Sequence, residues 1–217
     1  MQAPVLHQLN DQNLWLSANR AIYWEEAKAL ILSDAHIGKT GHFRKSGIAV
    51  PQKVYKEDLQ RLVELLQYFK PAKLIAVGDL FHSHANQELL LFQKWRQEFS
   101  NLAIDLVKGN HDILNKKWYA DLDINIIEST LHIGPFSFTH DECDTTDGSY
   151  HFCGHLHPGI VVHGMGKQSL RFPCFYFTEN KCILPAFSRF TGMAGIEPYN
   201  GDIVYAIVNS ELIKFKN

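Results

Sequence analysis

Residues 29–36, Ala-Leu-Ile-Leu-Ser-Asp-Ala-His, join a short apolar run directly to two side chains that can bind a metal. Four further runs repeat this design, and each ends shortly before another potential ligand; they lie at 74–77, 104–107, 136–139 and 150–153. All five runs are short and rich in β-branched or aromatic residues, as buried strands are. The polar residues therefore follow the carboxyl ends of strands, where open α/β sheets place their ligands.

The potential ligands after these runs have the composition of a two-metal phosphoesterase site; they are Asp34, His36, Asp79, Asn110, His140, His155 and His157. Two divalent cations about 3.5–4 Å apart can bind a phosphoryl oxygen, hold a bridging hydroxide and neutralise charge during an in-line displacement. Asp79 ends a central strand and is the natural bridging carboxylate. Imidazole, carboxylate and carboxamide ligands suit Mn²⁺, Fe or Zn²⁺ better than Mg²⁺. We therefore predict two divalent metal ions, with Mn²⁺ as the first expectation and Fe or Zn²⁺ as alternatives.

Two of the ligand pairs, Asp34-x-His36 and His155-x-His157, have a spacing of two residues. On an extended segment this spacing puts both side chains on the same side. We therefore expect each pair to reach the same metal cluster.

His111 differs from the other histidines because it directly follows a ligand, Asn110, and precedes a carboxylate, Asp112. A neighbouring carboxylate can hold and charge an imidazole. We predict that Asp112 does this and that His111 is the general acid and transition-state stabiliser.

Strands alternate with helices in the first half of the chain and then follow one another almost alone. The pattern predicts a hairpin around residues 19–20, a helix at about 51–69 and a helix at about 86–99 with Asn86 as its N-cap. The second helix links two strands that should be parallel. From residue 124 onward the pattern is strand-like, so the simplest fold is two packed sheets flanked by helices. No linker divides residues 1–217, which we interpret as one domain.

The amino-acid composition does not indicate which class of molecule the protein binds. The formal net charge of −2 gives no global basic field that would indicate nucleic acid. The four cysteines show neither a Cys-x-x-Cys spacing nor a disulfide framework, so we expect reduced thiols. The first twenty residues lack the pattern of a secretory signal, and no apolar stretch is long enough to span a membrane. A cytoplasmic location is the default expectation.

The chain resembles the calcineurin-like metallophosphoesterase superfamily in five ordered blocks: Asp34-x-His36, Gly78-Asp79, Gly109-Asn110-His111-Asp112, His140 and Gly154-His155-x-His157. The resemblance implies an α/β fold, a four-layer α/β/β/α sandwich of two mixed sheets flanked by helices. It also implies a first metal held by Asp34, His36, Asp79 and His157, a second metal held by Asp79, Asn110, His140 and His155, and His111 as the catalytic histidine.

Between these blocks, residues 33–51, 78–86 and 184–192 resemble the bacterial DNA ligase-associated metallophosphoesterases. These are described as DNA-damage-response endonucleases encoded beside an ATP-dependent DNA ligase, a helicase and an exonuclease. The resemblance implies DNA as substrate and a functional association with those enzymes. Residues 78–82 are also similar to the nuclease subunit of the double-strand-break repair complex, which implies that His82 helps to place the phosphodiester.

Three basic residues, Lys39, Arg44 and Lys45, follow the first ligand block. We interpret them as a loop that flanks the metals and contacts a nucleic-acid backbone. A solvated loop without a ligand is the alternative.

Two rival functions stay open besides a DNA phosphodiesterase. One is a phosphatase or phosphodiesterase for a small nucleotide, with the same ligands in a narrower pocket. The other is a non-catalytic scaffold, against which His111 and the complete ligand set argue, because a binding module does not need them.

Overall fold

A computed structural model describes residues 2–51, 53–82, 86–141, 148–164 and 168–216. Cys143 and residues 83–85, on which parts of the sequence analysis rest, lie outside these ranges. The other three cysteines, Cys153, Cys174 and Cys182, are buried thiols, which confirms the expectation of reduced cysteines for these three.

The first sheet has seven strands in the described part of the chain, arranged in chain order: β1 (Val5–Leu9), β2 (Gln12–Ser17), β3 (Ala21–Trp24), β4 (Ala29–Leu32), β5 (Lys73–Val77), β6 (Ala103–Val107) and β7 (Ile124–Ile127). Neighbours from β1 to β4 are antiparallel, and neighbours from β4 to β7 are parallel. The predicted hairpin, β2–β3, and the predicted parallel pair, β5–β6, are confirmed. Strand β1 has no counterpart in the sequence prediction.

The second sheet contains the remaining described strands: β8 (Leu131–Ile133), β9 (Phe136–Thr139), β10 (Tyr150–Cys153), β11 (Pro158–His163), β12 (Ser169–Phe177), β13 (Lys181–Ile183), β14 (Ala194–Ile196), β15 (Ile203–Val208) and β16 (Glu211–Lys216). The central pairs β9–β10 and β10–β13 are parallel, whereas β12 is antiparallel to β11, β13 and β15. The sheet is therefore mixed, as expected. These strands confirm the strand-like pattern predicted from residue 124 onward.

The described helices are α1 (Lys39–Lys45), α2 (Lys53–Phe69), α3 (Gln87–Glu98) and α4 (Lys116–Asp121). Helices α2 and α3 are confirmed, and the Asn86 side chain caps α3 by accepting the Glu88 and Leu89 N–H groups at 2.9 and 3.4 Å. The predicted loop at residues 39–45 is wrong, because these residues form α1. None of the described helices is long and apolar enough to cross a membrane.

Helix α1 is fixed by tertiary contacts rather than by its own sequence. It has no side-chain N-cap and only seven residues, too few for a stable isolated helix. The Asn86 side chain instead donates to the Gly38 carbonyl at 2.8 Å, and the Thr40 hydroxyl donates to Glu88. The start of α3 therefore holds α1 beside the first ligand block.

The core has two main apolar layers on opposite faces of the first sheet. Strand β5 shows this division, since Leu74 and Ala76 pack with the residues of α2, α3 and α4, while Ile75 and Val77 pack with aromatic residues of the second sheet. The α/β sandwich of two mixed sheets is thus confirmed. The carboxyl ends of the parallel strands β4, β5 and β6 share one edge, as do those of β9 and β10, and the polar residues follow these ends.

Candidate metal centre

Two adjacent loops form the base of the candidate site. The loop after β4 runs beside the loop after β5, because Asp34 N–H donates to Gly78 O at 3.1 Å and His36 N–H donates to Asp79 O at 2.9 Å. Both carboxylates are almost fully buried. The backbone therefore places Asp34 and Asp79 side by side.

A first group of ligand atoms belongs to Asp34, His36 and His157, which lie within 4.8 Å of one another. Asp34 Oδ1 is 3.1 Å from His157 Nε2 and 4.0 Å from His36 Nε2. The other nitrogen of His157, Nδ1, lies 3.2 Å from the Gly192 carbonyl, so Nε2 is the nitrogen that faces the group. Two ligand atoms of one ion, each bound at about 2.1 Å, are separated by about 3.0–3.4 Å.

Unsatisfied buried atoms provide the test of whether a cation fits this group. Within the described part of the chain, Asp34 Oδ1 and both ring nitrogens of His36 are buried without a hydrogen-bond partner. Buried polar atoms are normally satisfied, and each exception requires an explanation. A divalent cation between Asp34, His36 and His157 would supply the missing partner, so these residues fit a metal.

A second group surrounds His140 Nε2. This nitrogen is 3.5 Å from Asp79 Oδ2, 3.3 Å from Asn110 Oδ1 and 3.3 Å from His155 Nδ1. The opposite nitrogen, His140 Nδ1, lies 3.2 Å from the Val77 carbonyl, which fixes the direction of the ring. The spacings again match those of atoms that share one ion.

Asp79 lies between the two groups. Its Oδ2 is 3.5 Å from His140 Nε2 and 4.0 Å from His36 Nδ1, while Oδ1 accepts the backbone N–H of His111 at 2.8 Å. Asp34, Asp79 and His140 also offer three atoms within 4.8 Å of one another. One carboxylate can therefore serve both groups.

Five of the ligand residues have a left-handed backbone with φ between 46° and 62°; they are Asp34, His36, Asp79, His155 and His157. The premise that the two-residue spacings lie on extended segments is therefore wrong. The first pair nevertheless faces one group, while the second pair divides between the groups. A left-handed conformation costs roughly 1–2 kcal/mol for an L-residue, and it persists where the surroundings determine it. This strain is concentrated where ligands must converge.

Gly78 makes the close approach between the loops possible. Its φ is +78°, and a Cβ at this position would lie 2.0 Å from His140 Nδ1. Any side chain here would therefore displace the buried imidazole.

The charge states of three buried ligands follow from their surroundings. Burial, with the nearby charge of Lys39, lowers the pKa of His36 to about 3, so that imidazole is neutral and has a lone pair for a metal. Burial alone would lower the pKa of His140, but its hydrogen bond to and attraction by Asp79 raise it to about 9. Burial alone would likewise raise the pKa of Asp79, whereas His140 and the His111 N–H lower it to about 2. Without a cation, His140 therefore carries a proton beside an ionised Asp79.

The rings of His82 and His111 lie close together beside the first group, tilted by 33° relative to each other. Their ring centroids are 4.4 Å apart, and the His111 ring lies 5.3 Å from that of His36. Burial, with the charges of His111 and Lys39, lowers the pKa of His82 to about 4. At pH 7 the His82 imidazole is thus neutral, which does not suit it to donate a proton as a general acid.

The expected pairing of Asp112 with the His111 imidazole is wrong. The two carboxylate oxygens of Asp112 instead accept the backbone N–H groups of Phe81 and Gly109 at 2.9 and 3.0 Å. Because Phe81 and Gly109 belong to different ligand loops, Asp112 joins those loops. These contacts position the loops rather than the His111 imidazole.

The three predicted phosphate-binding residues have different surroundings on α1. Lys39 is partly buried, and its ammonium interacts with the charges of Asp34 and Asp79, whereas Lys45 is exposed. Arg44 points toward the protein, since its Nη2 lies 2.6 Å from the buried Glu88 carboxylate and its Nη1 donates to the Val50 carbonyl at 3.2 Å. The prediction that Arg44 contacts a phosphate therefore needs correction, because its guanidinium anchors α1.

Two residues that contact the ligands were not singled out from the sequence. The Ser33 hydroxyl donates to Asp34 Oδ2 at 2.5 Å, which leaves Oδ1 facing the first group. Asp141 joins His140 and His155 in a further set of potential ligands. Both directly adjoin a predicted ligand in the sequence, and this adjacency is the signal that could have identified them.

Comparison with known proteins gives the following matches. Residues 27–166 match the model of the calcineurin-like phosphoesterase family. In sequence, the chain is 31% identical to the Pseudomonas putida nuclease MPE, whose crystal structure aligns over 97% of this chain and 100% of that chain with a TM-score of 0.83. The E. coli phosphoesterase Yfce is 13% identical, over 86% of this chain and 97% of that chain, with a TM-score of 0.46. The comparison with curated proteins found no match.

Proposed function

Because the chain belongs to the calcineurin-like phosphoesterase family and is a metal-dependent phosphoester hydrolase, we propose that it is a DNA endonuclease of the DNA damage response. The observation that carries this proposal is the similarity to a nuclease over nearly the whole of both chains. The open side of the site agrees with a polymeric substrate, since Asn110 and His155 are exposed. We also propose a cytoplasmic location and a functional association with an ATP-dependent DNA ligase, a helicase and an exonuclease.

We assign the first metal position to Asp34, His36, Asp79 and His157, and the second to Asp79, Asn110, His140 and His155. The mixture of imidazole, carboxylate and amide ligands supports Mn²⁺ as the proposed metal, with Fe or Zn²⁺ as alternatives. When bound, two such cations would polarise the phosphoryl oxygens and favour ionisation of the attacking water. The protein holds the ligand directions through fixed contacts, such as those of His140 Nδ1 with Val77 O and of His157 Nδ1 with Gly192 O.

In this proposal, His111 donates a proton or hydrogen bond to the leaving oxygen. Its backbone N–H binds Asp79 Oδ1, which keeps the residue beside the shared ligand while its imidazole lies next to the first position. The neutral His82, whose ring lies 4.4 Å from that of His111, donates a hydrogen bond that orients the phosphodiester.

Lys39 and Lys45 are the proposed cationic contacts on α1. Lys39 interacts with the carboxylates of both loops and is therefore close to the scissile phosphate, whereas the exposed Lys45 is suited to a flanking phosphate. Lys45→Gln should reduce the slope of log affinity against log salt by about one unit, because one phosphate contact is lost. Lys94→Gln, which removes an exposed charge from α3, is the matched control. Equal effects of the two variants would reject Lys45 as a DNA contact.

Circular DNA provides the sharpest test of an endonuclease, because it has no ends. The metal-free protein should be supplied with Mn²⁺ and assayed on circular single-stranded and supercoiled double-stranded DNA. Parallel assays would use a phosphodiester dye ester, a phosphomonoester dye ester and cyclic nucleotides. We expect metal-dependent cleavage of circular DNA that Asp79→Asn abolishes. Rapid hydrolysis of a phosphomonoester or cyclic nucleotide with intact circular DNA would favour the small-nucleotide enzyme instead.

A further inference from the structure

Asp141 lies on the outer side of the second ligand group. Its Oδ1 is 3.5 Å from His155 Nδ1, and the ligand atoms of His140, Asp141 and His155 all lie within 4.8 Å of one another. The Asp141 side chain is 74% exposed, whereas that of His140 is 3% exposed. The set therefore extends from the buried His140, which lies beside the shared carboxylate of Asp79, outward to solvent.

The nitrogen that Asp141 approaches distinguishes a ligand from an orienting group. His155 Nδ1 lies 3.3 Å from His140 Nε2, so Nδ1 is the nitrogen that faces the second metal position. A carboxylate that only orients a ligating histidine binds the opposite nitrogen. Asp141 approaches Nδ1 itself and thus lies on the metal side of the ring.

We propose that Asp141 is an additional carboxylate ligand of the second metal position, an inference that rests on the two-metal site of the proposed function. The other groups assigned to that position are the shared carboxylate of Asp79, one amide and two imidazoles. A second carboxylate adds negative charge and a hard oxygen donor, which favour Mn²⁺ over softer competitors. Its exposure gives a cation from solvent a first point of contact.

The test is a titration of the metal-free protein with Mn²⁺, in which the electron paramagnetic resonance signal of free Mn²⁺ reports binding. The wild type should show two Mn²⁺ binding events. The event that is lost in His155→Ala is the one at the second metal position. Asp141→Asn should weaken that same event by about tenfold or more, the range typical for groups around a metal, and leave the other within twofold. Asp123→Asn, at a side chain that is 97% exposed, is the matched control and should change neither event.

Several results would overturn the inference. If both Mn²⁺ binding events are unchanged in Asp141→Asn, Asp141 is not a metal ligand. If both events are weakened equally, the variant shows only the effect of a general loss of negative charge. Asp141→Asn should also cause no further loss when added to His155→Ala, since both changes act on one position; an additive loss would place Asp141 elsewhere. A wild type that binds a single Mn²⁺ likewise overturns it.

The circular-DNA assay separates this inference from the proposed function. If the second event weakens selectively in Asp141→Asn while the wild type cuts no DNA, the metal ligand stands and the proposed substrate is wrong. If the wild type cuts DNA but Asp141→Asn binds Mn²⁺ normally, the nuclease stands and the ligand is wrong.

Discussion

Replacing Gly78 by alanine should disrupt the metal centre through a single added methyl group. At a φ of +78°, an alanine would adopt an unfavourable left-handed conformation, which costs roughly 1–2 kcal/mol. The new Cβ would also lie 2.0 Å from His140 Nδ1 and 2.2 Å from His140 Cγ. Overpacking of a buried site typically costs about 1–3 kcal/mol more. The sum is a loss of about 2–5 kcal/mol in the free energy of unfolding.

Gly47 provides a control for the backbone contribution. Its φ is +83°, close to that of Gly78, but a Cβ there would meet nothing within 4 Å. Gly47→Ala should therefore lower the free energy of unfolding only by the cost of backbone strain, roughly 1–2 kcal/mol. Both variants gain equally from the reduced entropy of the unfolded chain, so this effect cancels in the comparison.

The assay is urea unfolding of the metal-free variants, together with a separate Mn²⁺ titration of each folded variant in the absence of urea. Gly78→Ala should be less stable than Gly47→Ala by about 1–3 kcal/mol, which is the overpacking cost. It should also weaken Mn²⁺ binding, since His140 must move away from Asp79 and Asn110. Equal stability of the two variants together with normal Mn²⁺ binding would refute the steric argument.

Three further results are expected. Asp79→Asn should lose Mn²⁺ from both positions as well as activity, because it removes the shared carboxylate, and near-normal metal content measured by elemental analysis would exclude that role. Mn²⁺ binding should release a proton from His140, whose pKa is raised to about 9, so the affinity for Mn²⁺ should rise by up to about tenfold per pH unit between pH 6 and 8. Calorimetry in buffers of different ionisation enthalpy counts the released proton. His36, which is already neutral, should release none. His111→Ala should retain the metals, because its contact with Asp79 is through the backbone, but should slow turnover by roughly 10²- to 10⁴-fold, less for substrates with an acidic leaving group. An equal loss on good and poor leaving groups would leave His111 a purely electrostatic role.

Local patterns were sufficient to predict most of the secondary structure. The apolar runs that became β4, β5, β6, β9 and β10 are readable because a buried strand selects β-branched and aromatic residues along its own length. Helix α2 is similarly readable from its apolar stripe, and α3 from its cap at Asn86. Each of these elements carries its signal within a few consecutive residues.

The candidate ligands could be named from the sequence because they follow strand ends and occur in a recognisable order. Their backbone could not be predicted. A two-residue spacing suggests an extended segment, yet Asp34 and His36 have φ values of 55° and 46°. This conformation is locally unfavourable, and tertiary contacts hold it in place: Asp34 and His36 donate backbone hydrogen bonds to the neighbouring loop, and Ser188 N–H donates to Asp34 O.

Roles that depend on distant partners were decided by the tertiary structure alone. Asp112 adjoins His111 in the sequence but binds the backbone of Phe81, and Arg44 belongs to a basic cluster but pairs with Glu88, which is far along the chain. A sequence states which groups are present, because that is a property of each residue. Which groups meet depends on how the sheets and helices pack, and this packing depends on many contacts between residues that are far apart in the sequence.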